Sequence, residues 1–307
     1  NILIVTNVLH KEKIQKQVPQ IPPANIVAEP VGRDTAPCIG LAATIIHKKA
    51  PDSVMIVMTA DHVIEPASRF VKMAETAMNI VSKNNSLLTM GIKPTEPSVS
   101  YGYIHRGKRL LEENGFNVYE VESFKEKPDK TTAQRFINTG EYYWNGGVFV
   151  WQTAKMLECL TKYTPKLALG LQKIGTAWGT ELEWTTVEKE YQAFEKISID
   201  YAVIEKAKDV VVIEMDFTWD DVGSWFAIER WNKKDNLGNT VLGMHYGMDT
   251  NSCIIVNNEQ HLIATIGVSD MVIVHTKDAT LICNKQKAEQ IKKLVEELRK
   301  GGKQAFL

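Results

Sequence analysis

The chain has 307 residues, a length that fits about two domains at roughly 150 residues each. Its 36 lysines and arginines balance 37 aspartates and glutamates, so the formal net charge of −1 gives no bulk electrostatic reason to expect nucleic acid or a membrane surface as partner. The four cysteines form no Cys-x-x-Cys pair, which argues against a zinc knuckle or a disulfide scaffold. We therefore expect reduced cysteines in a cytoplasmic protein. No apolar run approaches the ~18 to 20 residues of a membrane span.

Short apolar runs alternate with helical patterns over the first two thirds of the chain. The runs are continuous, which is typical of strands buried on both faces; they cover residues 2–5, 54–58, 87–90, 148–151 and 210–215. Helices are predicted over 35–49, behind a cap at Asp34 or Thr35, and over 66–83. This alternation predicts an α/β fold whose mixed sheet is mostly parallel.

After Gly238 the pattern changes to short strands about ten residues apart with turn residues between them, at 252–257, 261–266, 271–275 and 280–283. An amphipathic helix over 285–300 follows. We therefore expect two domains, a catalytic-type α/β domain over 1–235 and a small β-module with a terminal helix over 236–307.

Acidic residues follow the ends of two predicted strands. Asp61 comes after the run 54–58, and Asp220 and Asp221 follow the run 210–215. Ligands bind at the carboxyl ends of strands in parallel α/β sheets. Mg²⁺ is often held by one or two carboxylates plus substrate phosphates, so Asp61 with Asp220 or Asp221 predicts a metal site. Asp220 is a rival for Asp221, and each acid could instead cap the helix that follows it.

Three further segments have the composition of a ligand site. In Phe-Lys-Glu126-Lys127-Pro, a lysine suits a phosphate and a glutamate can accept from sugar hydroxyls, although a solvated charge run is the plain alternative. The stretches 101–104 and 143–147 place glycines and Asn145 among aromatic residues, as in sugar-facing loops or ordinary turns. The stretch 29–37 opens the first helix, where backbone N–H groups suit a phosphate or a base edge and capping explains Asp34 and Thr35 equally well.

In this order, the segments resemble the nucleotide-sugar pyrophosphorylases, and more narrowly the mannose-1-phosphate guanylyltransferases. The matching runs are E-P-V-G-R-D-T-A-P at 29–37, A-D-H at 60–62, G-I-K-P-T-E-P at 91–97 with G-Y-I at 102–104, F-K-E-K-P at 124–128, W-N-G at 144–146, S-I-D-Y-A at 198–202 and W-D-D-V-G-S-W at 219–225. The resemblance extends over nearly the whole chain.

The resemblance implies a Rossmann-like nucleotidyltransferase domain followed by a module similar to a short left-handed β-helix. It implies an enzyme that forms GDP-mannose and pyrophosphate from GTP and mannose 1-phosphate with Mg²⁺ or another divalent cation. It implies no nucleic-acid or membrane partner, and it is compatible with a homodimer. Another nucleotide and sugar 1-phosphate pair is an alternative, and so is a non-catalytic regulatory relative that binds nucleotide sugars.

The resemblance also assigns roles to individual residues. Asp61 and Asp221 would hold the metal and Lys127 would meet the sugar phosphate, which makes these three the catalytic groups. The remaining assignments are to substrate binding, with Gly102, Glu126 and Asn145 on the mannose, Ser198 and Asp200 on the sugar side or behind it, and Glu29, Arg33, Asp34 and Thr35 at the guanine end.

One family feature is not found in this sequence. The family carries a glycine-rich G-x-G-x-R loop, with a catalytic arginine and lysine, on its first strand-to-helix turn, whereas residues 2–5 match the family's second strand. We expect a βα unit of roughly 30 residues or more ahead of Asn1. A catalytically incomplete member of the family is the alternative.

Overall fold

The computed structural model describes residues 1–303 and 306, which form two compact units. Unit 1 comprises residues 1–60 and 64–219, and unit 2 comprises residues 61–63 and 220 onward. A domain boundary after residue 235 stays a prediction.

The strands up to residue 220 belong to unit 1, except that Val63 of β4 and Asp220 of β10 fall in unit 2. In chain order they are β1 (Ile4–Asn7), β2 (Ile26–Glu29), β3 (Val54–Val57), β4 (Val63–Glu65), β5 (Leu87–Ile92), β6 (Tyr103–Glu113), β7 (Phe116–Lys125), β8 (Tyr142–Gln152), β9 (Val210–Met215) and β10 (Thr218–Asp220). A six-stranded sheet has the order β3-β8-β5-β9-β7-β6, with β8 also pairing with β6. β1 and β2 form a separate parallel pair.

The predicted fold class, an α/β fold with a mixed sheet, is confirmed, but the prediction that this sheet is mostly parallel is wrong. β5 and β9 run parallel, whereas β8 runs antiparallel to both β3 and β5, and β6 and β7 are antiparallel to each other. The error has a physical cause. A continuous apolar run reports that a strand is buried on both faces, and burial does not depend on the direction in which the strand runs.

The helices of unit 1 cover this framework. They are α1 (Lys11–Gln17), α2 (Thr35–Lys49), α3 (Ala67–Asn84), α4 (Lys130–Thr139), α5 (Thr153–Tyr163), α6 (Pro165–Ala177) and α7 (Glu183–Ala193). The helix predicted over 35–49 is confirmed at both ends, because the Asp34 side chain accepts a hydrogen bond from Thr35 N and three basic residues occupy the last turn. α2 packs with Leu160, Leu171 and Trp151 in one hydrophobic core.

Unit 2 consists of a short helix, a stack of strands and a terminal helix. Its elements are α8 (Trp225–Trp231), β11 (Thr240–Leu242), β12 (His245–Met248), β13 (Ile254–Asn257), β14 (Ile263–Ile266), β15 (Met271–His275), β16 (Thr280–Asn284) and α9 (Ile291–Lys300). β11, β13 and β15 pair in parallel, and so do β12 and β14. Two parallel ladders whose strands alternate along the chain are the arrangement of a β-helix, as predicted; its handedness stays a prediction.

Two details of unit 2 differ from the pattern. The predicted helix over 285–300 begins as a 3₁₀ segment, Lys285–Gln290, and becomes α-helical only from Ile291. β16 reverses direction and pairs antiparallel with β15, which ends the parallel stack. In the part of the chain that the structure describes, no helix is both long enough and apolar enough to cross a membrane.

Candidate active site

Gly102 and Glu126 face each other where β6 begins and β7 ends. Tyr103 and Lys125 are register partners, so the residues just beyond them are neighbours. A Cβ atom on residue 102 would lie 2.5 Å from Glu126 Oε2 and 2.9 Å from Phe124 Cζ. The Glu126 side chain is only 10% exposed, which rules out the solvated charge run for this residue. Glycine at position 102 therefore leaves room for a buried carboxylate.

Lys127 is held directly against that carboxylate. Its Nζ lies 2.5 Å from Glu126 Oε1, while 60% of its side chain is exposed. The hydrogen bond to Glu126 is the main cause that raises the pKa of Lys127, and Asp200 adds to it. The backbone of Lys127 has φ +42°, a conformation that non-glycine residues rarely adopt. The structure thus keeps a permanent cation beside Glu126 and open to solvent.

Asn145 and Asp200 join the same group of residues. Asn145 Nδ2 donates to Asp200 Oδ1 at 2.9 Å, and the backbone N of Asn145 donates to Gly102 O at 2.8 Å. Burial raises the pKa of Asp200 to about 6, and the charge of Glu126 acts in the same direction. Gly102, Glu126, Lys127, Asn145 and Asp200 are therefore brought together by the fold, and we call these five residues the sugar-side cluster.

Ser198 supports the cluster from behind. Asp200 begins a π-helical turn, Asp200–Ile204, an element often found at functional sites. Ser198 O accepts from Ala202 N at 2.9 Å, and Ser198 Oγ accepts from Tyr201 N at 3.4 Å. In this structure Ser198 shapes the turn that carries Asp200.

Glu29 is a buried carboxyl at the end of β2. It is 8% exposed, and among the described residues its Oε1 atom has no hydrogen-bond partner. Burial raises the pKa of Glu29 to about 7, against an opposing interaction with the Tyr191 side chain. A buried acceptor without a donor is costly. Glu29 is therefore suited to a ligand that brings its own N–H groups.

Arg33 holds the end of α7, and its assignment to the guanine end stays a prediction. Its Nε donates to Tyr191 O at 2.8 Å and its Nη2 donates to Gln192 O at 2.7 Å, so the guanidinium sits on the last carbonyls of α7. A cation at the carboxyl end of a helix stabilises that end. The guanidinium of Arg33 thus has a structural position in this fold.

Asp34 and Thr35 hold the start of α2. Asp34 has φ +68° and its Oδ1 accepts from Thr35 N at 2.8 Å. Thr35 Oγ1 accepts from Ile199 N at 2.8 Å, which ties the start of α2 to the segment that carries Ser198 and Asp200. Both side chains act as caps and cross-links, the alternative that the sequence left open.

Asp61 and Asp221 both act electrostatically on one imidazole in unit 2. Burial lowers the pKa of His62, and the negative charges of Asp61, Asp221 and Asp220 oppose that shift. Neither Asp61 nor Asp221 caps a helix, because the caps of α3 and α8 are Pro66 and Ser224. The structure therefore places the two predicted metal ligands in the same small region of unit 2.

Asp220 is held by side-chain and backbone donors of the fold. Arg230 contacts both of its oxygens, at 2.5 Å and 2.7 Å, and Trp231 Nε1 and Val222 N donate to it at 2.9 Å each. These donors lower the pKa of Asp220 to about 2. Its lone pairs are used within the fold, and Asp221 stays the predicted metal ligand of this pair.

Asp61 and Asp221 provide the kind of ligands that Mg²⁺ takes in proteins. Among residues 1–303 and 306 no group of three or more His, Cys, Asp or Glu side chains is arranged to hold a metal ion. Mg²⁺ is commonly held by one or two carboxylates while substrate phosphates and water complete its shell. Asp61 and Asp221 match that donor set.

Thr89 and Tyr191 belong to the site although no motif pointed to them. Thr89 Oγ1 donates to Asn145 Oδ1 at 3.1 Å, and Tyr191 interacts with Glu29 while its hydroxyl donates to Pro37 O at 3.2 Å. The only signal for Thr89 was a polar residue inside the apolar run Leu-Leu-Thr-Met. Tyr191 comes from a helix far away in sequence and gave no signal.

Comparison with known proteins matches both parts of the chain. Residues 1–237 match the nucleotidyl transferase family, and residues 243–298 match the MannoseP isomerase/GMP-like beta-helix domain. The mannose-1-phosphate guanylyltransferase of Escherichia coli is 36% identical over 306 residues, which cover 98% of this chain and 66% of that protein. The Klebsiella pneumoniae protein of the same name is 35% identical, covering 99% of this chain and 64% of its own length.

A solved structure is also similar to this chain over nearly its whole length. The crystal structure described as mannose-1-phosphate geranyltransferase from Thermus thermophilus superposes with a TM-score of 0.81 at 32% identity, covering 97% of this chain and 84% of that one. The chain belongs to the nucleotidyl transferase family. It spans about two thirds of the length of the two curated relatives, 66% and 64%.

Proposed function

We propose that the protein forms GDP-mannose and pyrophosphate from GTP and mannose 1-phosphate. The observation that carries the proposal is the contact of Lys127 with Glu126 inside the sugar-side cluster. A cation suited to a phosphate there adjoins groups suited to hydroxyls, which is the polarity of a sugar phosphate. The names of the E. coli and K. pneumoniae relatives support mannose 1-phosphate and a guanylyl group as the substrates.

The reaction needs no general base. A phosphate oxygen of mannose 1-phosphate bonds to the α-phosphorus of GTP. The bond between that phosphorus and the oxygen bridging to the β-phosphate breaks, and pyrophosphate leaves with the bridging oxygen. A phosphate monoester with a second pKa near ~6 is already mostly a dianion at neutral pH. The work left to the protein is positioning and neutralisation of charge.

The residues divide this work among them. Lys127 neutralises the sugar phosphate, while Glu126, Asn145 and Asp200 bind sugar hydroxyls and Gly102 keeps the space for them. Glu29 accepts from the N1–H and N2–H groups of guanine, which would satisfy its buried Oε1 atom. Arg33, Asp34 and Thr35 act on the guanine end indirectly, by holding the start of α2 and the end of α7.

The donor set of Asp61 and Asp221 suits a divalent cation, Mg²⁺ or another of the same preference. Such a cation, when bound, would supply positive charge to the triphosphate. Asp61 and Asp221 would hold it, and Asp220 would keep the loop in place through Arg230 and Trp231. His62 is half-buried, and this burial lowers its pKa while the charges of the nearby acids oppose the shift.

A substrate screen tests the proposal. The full-length protein is assayed for pyrophosphate release with GTP, UTP, dTTP and ATP, each combined with mannose 1-phosphate and with glucose 1-phosphate. We expect the highest kcat/KM for GTP with mannose 1-phosphate. A different best pair would overturn the choice of substrates. Absence of turnover with every pair, together with GDP-mannose binding in calorimetry, would instead identify a regulatory relative.

A further inference from the structure

Thr89 is a buried hydroxyl next to the sugar-side cluster, and it lies outside the set of residues proposed to touch the substrate. It lies in the middle of β5, is 1% exposed, and pairs across the sheet with Phe149 and Val212. A buried hydroxyl needs a hydrogen-bond partner, and Thr89 Oγ1 finds it in Asn145 Oδ1 at 3.1 Å. The partner is a side chain of the site.

The hydrogen bonds of Asn145 determine which way its amide points. Gly147 N donates to Asn145 Oδ1 at 3.3 Å, and a backbone N–H can only donate, so the atom facing Gly147 must be the oxygen. With the Thr89 hydroxyl, both lone pairs of that oxygen are used. Nδ2 gives one proton to Asp200 Oδ1. One N–H of Asn145 remains to be offered to a ligand.

An irregularity in β8 brings Asn145 into this position. Thr89 pairs with Phe149 and Gly91 pairs with Asn145, so one residue of β5 lies opposite three residues of β8. Two of these three are glycines, one with a φ of +66° at Gly147 and one, Gly146, where a Cβ atom would lie 2.9 Å from Met90 O. Such bulges re-aim side chains next to active sites. The backbone N–H of Gly147 and the hydroxyl of Thr89 therefore both donate to the amide oxygen of Asn145.

We propose that Thr89 is a positioning residue for the sugar phosphate. Its hydroxyl locks the Asn145 amide so that the free N–H faces a sugar hydroxyl while Asp200 and Glu126 remain acceptors. Thr89 itself touches no substrate. This inference rests on the proposed function, because it assigns Thr89 to the sugar side of that site and gives it no part in binding GTP.

The substitution Thr89→Val removes the hydroxyl and keeps the shape, and Thr89→Ser keeps the hydroxyl. We expect Thr89→Val to raise the KM for mannose 1-phosphate about 5- to 10-fold, the effect of losing one well-placed hydrogen bond. The KM for GTP stays within about twofold, and Thr89→Ser restores most of the loss. The assay uses the full-length protein with its best substrate pair.

Thr76→Val serves as the matched control. Thr76 is also fully buried, and its hydroxyl donates to Lys72 O at 2.8 Å within α3 and accepts from Asn114 Nδ2 at 2.9 Å. Thr76→Val should lower the melting temperature and leave both KM values unchanged. A purely structural role for Thr89 would give the same pattern.

The outcomes separate this inference from the proposed function. Unchanged KM values in Thr89→Val, or an equal rise for both substrates, would overturn the role of Thr89 while the reaction stood. If the wild type turned over no substrate pair, the proposed function would fail and the variants would be compared by calorimetric titration with GDP-mannose. Weaker binding by Thr89→Val alone would then support the positioning role. Equal binding, or no binding by the wild type, would overturn it.

Discussion

Asp220 and Arg230 form a two-pronged ion pair in unit 2, with Arg230 Nη2 2.7 Å from Asp220 Oδ1 and Nε 2.5 Å from Oδ2. The next residue, Asp221, accepts from the backbone of Gly223 at 3.3 Å. Two adjacent aspartates thus have different surroundings. One is bound into the fold by side chains, and the other has the donor chemistry for a cation.

The first prediction separates these two acids. Asp220→Asn should lower the free energy of unfolding by about 1–3 kcal/mol, because it weakens hydrogen bonds to a charged carboxylate. Asp221→Asn should still fold and should reduce kcat/KM more than tenfold, a loss above about 1.4 kcal/mol in transition-state stabilisation. Calorimetric melting and steady-state kinetics measure both. If Asp221→Asn kept more than about a tenth of the activity, Asp221 would not be a metal ligand.

The second prediction concerns the space at Gly102. Gly102→Ala would place a methyl group 2.5 Å from Glu126 Oε2, so the carboxylate must move. We expect the KM for mannose 1-phosphate to rise at least about tenfold, since binding groups displaced by tenths of an ångström lose their geometry.

Lys127→Ala should also act mainly on the handling of mannose 1-phosphate. An unchanged KM and kcat for either variant would remove that residue from the sugar site.

The third prediction is a pH dependence of stability. Burial raises the pKa of Glu29 from 4.5 to about 7, so the folded state binds more protons than the unfolded state between these values. Stability therefore falls as pH rises through this window. Glu29→Gln should remove up to about 3 kcal/mol of that fall, since a tenfold change in ionisation corresponds to about 1.4 kcal/mol. In Glu29→Gln, a smaller fall in stability with the same sign remains because the pKa of Asp200 is raised to about 6.

Denaturant unfolding at about pH 5 and about pH 8 checks this prediction. The wild type should lose more stability than Glu29→Gln between the two conditions. Equal losses in the two proteins would show that Glu29 ionises in the folded state as it does in the unfolded state.

The fourth prediction concerns Arg33. Arg33→Ala should lower the free energy of unfolding by about 1–2 kcal/mol, because it removes two hydrogen bonds to the end of α7. The KM for GTP should change less than about threefold. Arg109→Ala is a control, since Arg109 pairs with Glu112 at the surface, where such pairs contribute little. A large rise in the KM for GTP with unchanged stability would return Arg33 to the guanine contacts.

Local signals predicted much of this molecule. The cap candidate at Asp34 predicted the start of α2, and the apolar run over 210–215 matched β9 at both ends, because both signals depend on neighbours in sequence. The direction of β8 could not be predicted, since an apolar run looks the same either way. Neither could the contact of Arg33 with Tyr191, whose carbonyl is 158 residues away along the chain.

The candidate site also has features that local sequence predicts and features that depend on distant contacts. The motif around Glu126 and Lys127 identified residues that do lie together, because they are adjacent in sequence at the end of one strand. The hydrogen bond from Thr89 to Asn145 depends on the bulge at Gly146 and Gly147, which exists only once β5 and β8 pair. Pairing between distant strands is a tertiary property, and a single sequence does not encode its register in any local pattern.

The most direct test follows the oxygen atoms of the sugar phosphate. Mannose 1-phosphate labelled with ¹⁸O in its non-bridging phosphoryl oxygens is incubated with GTP and the full-length protein, and the products are analysed by mass spectrometry. Attack of the sugar phosphate on the α-phosphorus predicts that all of the label is found in GDP-mannose and none in pyrophosphate. Label in pyrophosphate, or no GDP-mannose from this pair, would contradict the proposed reaction.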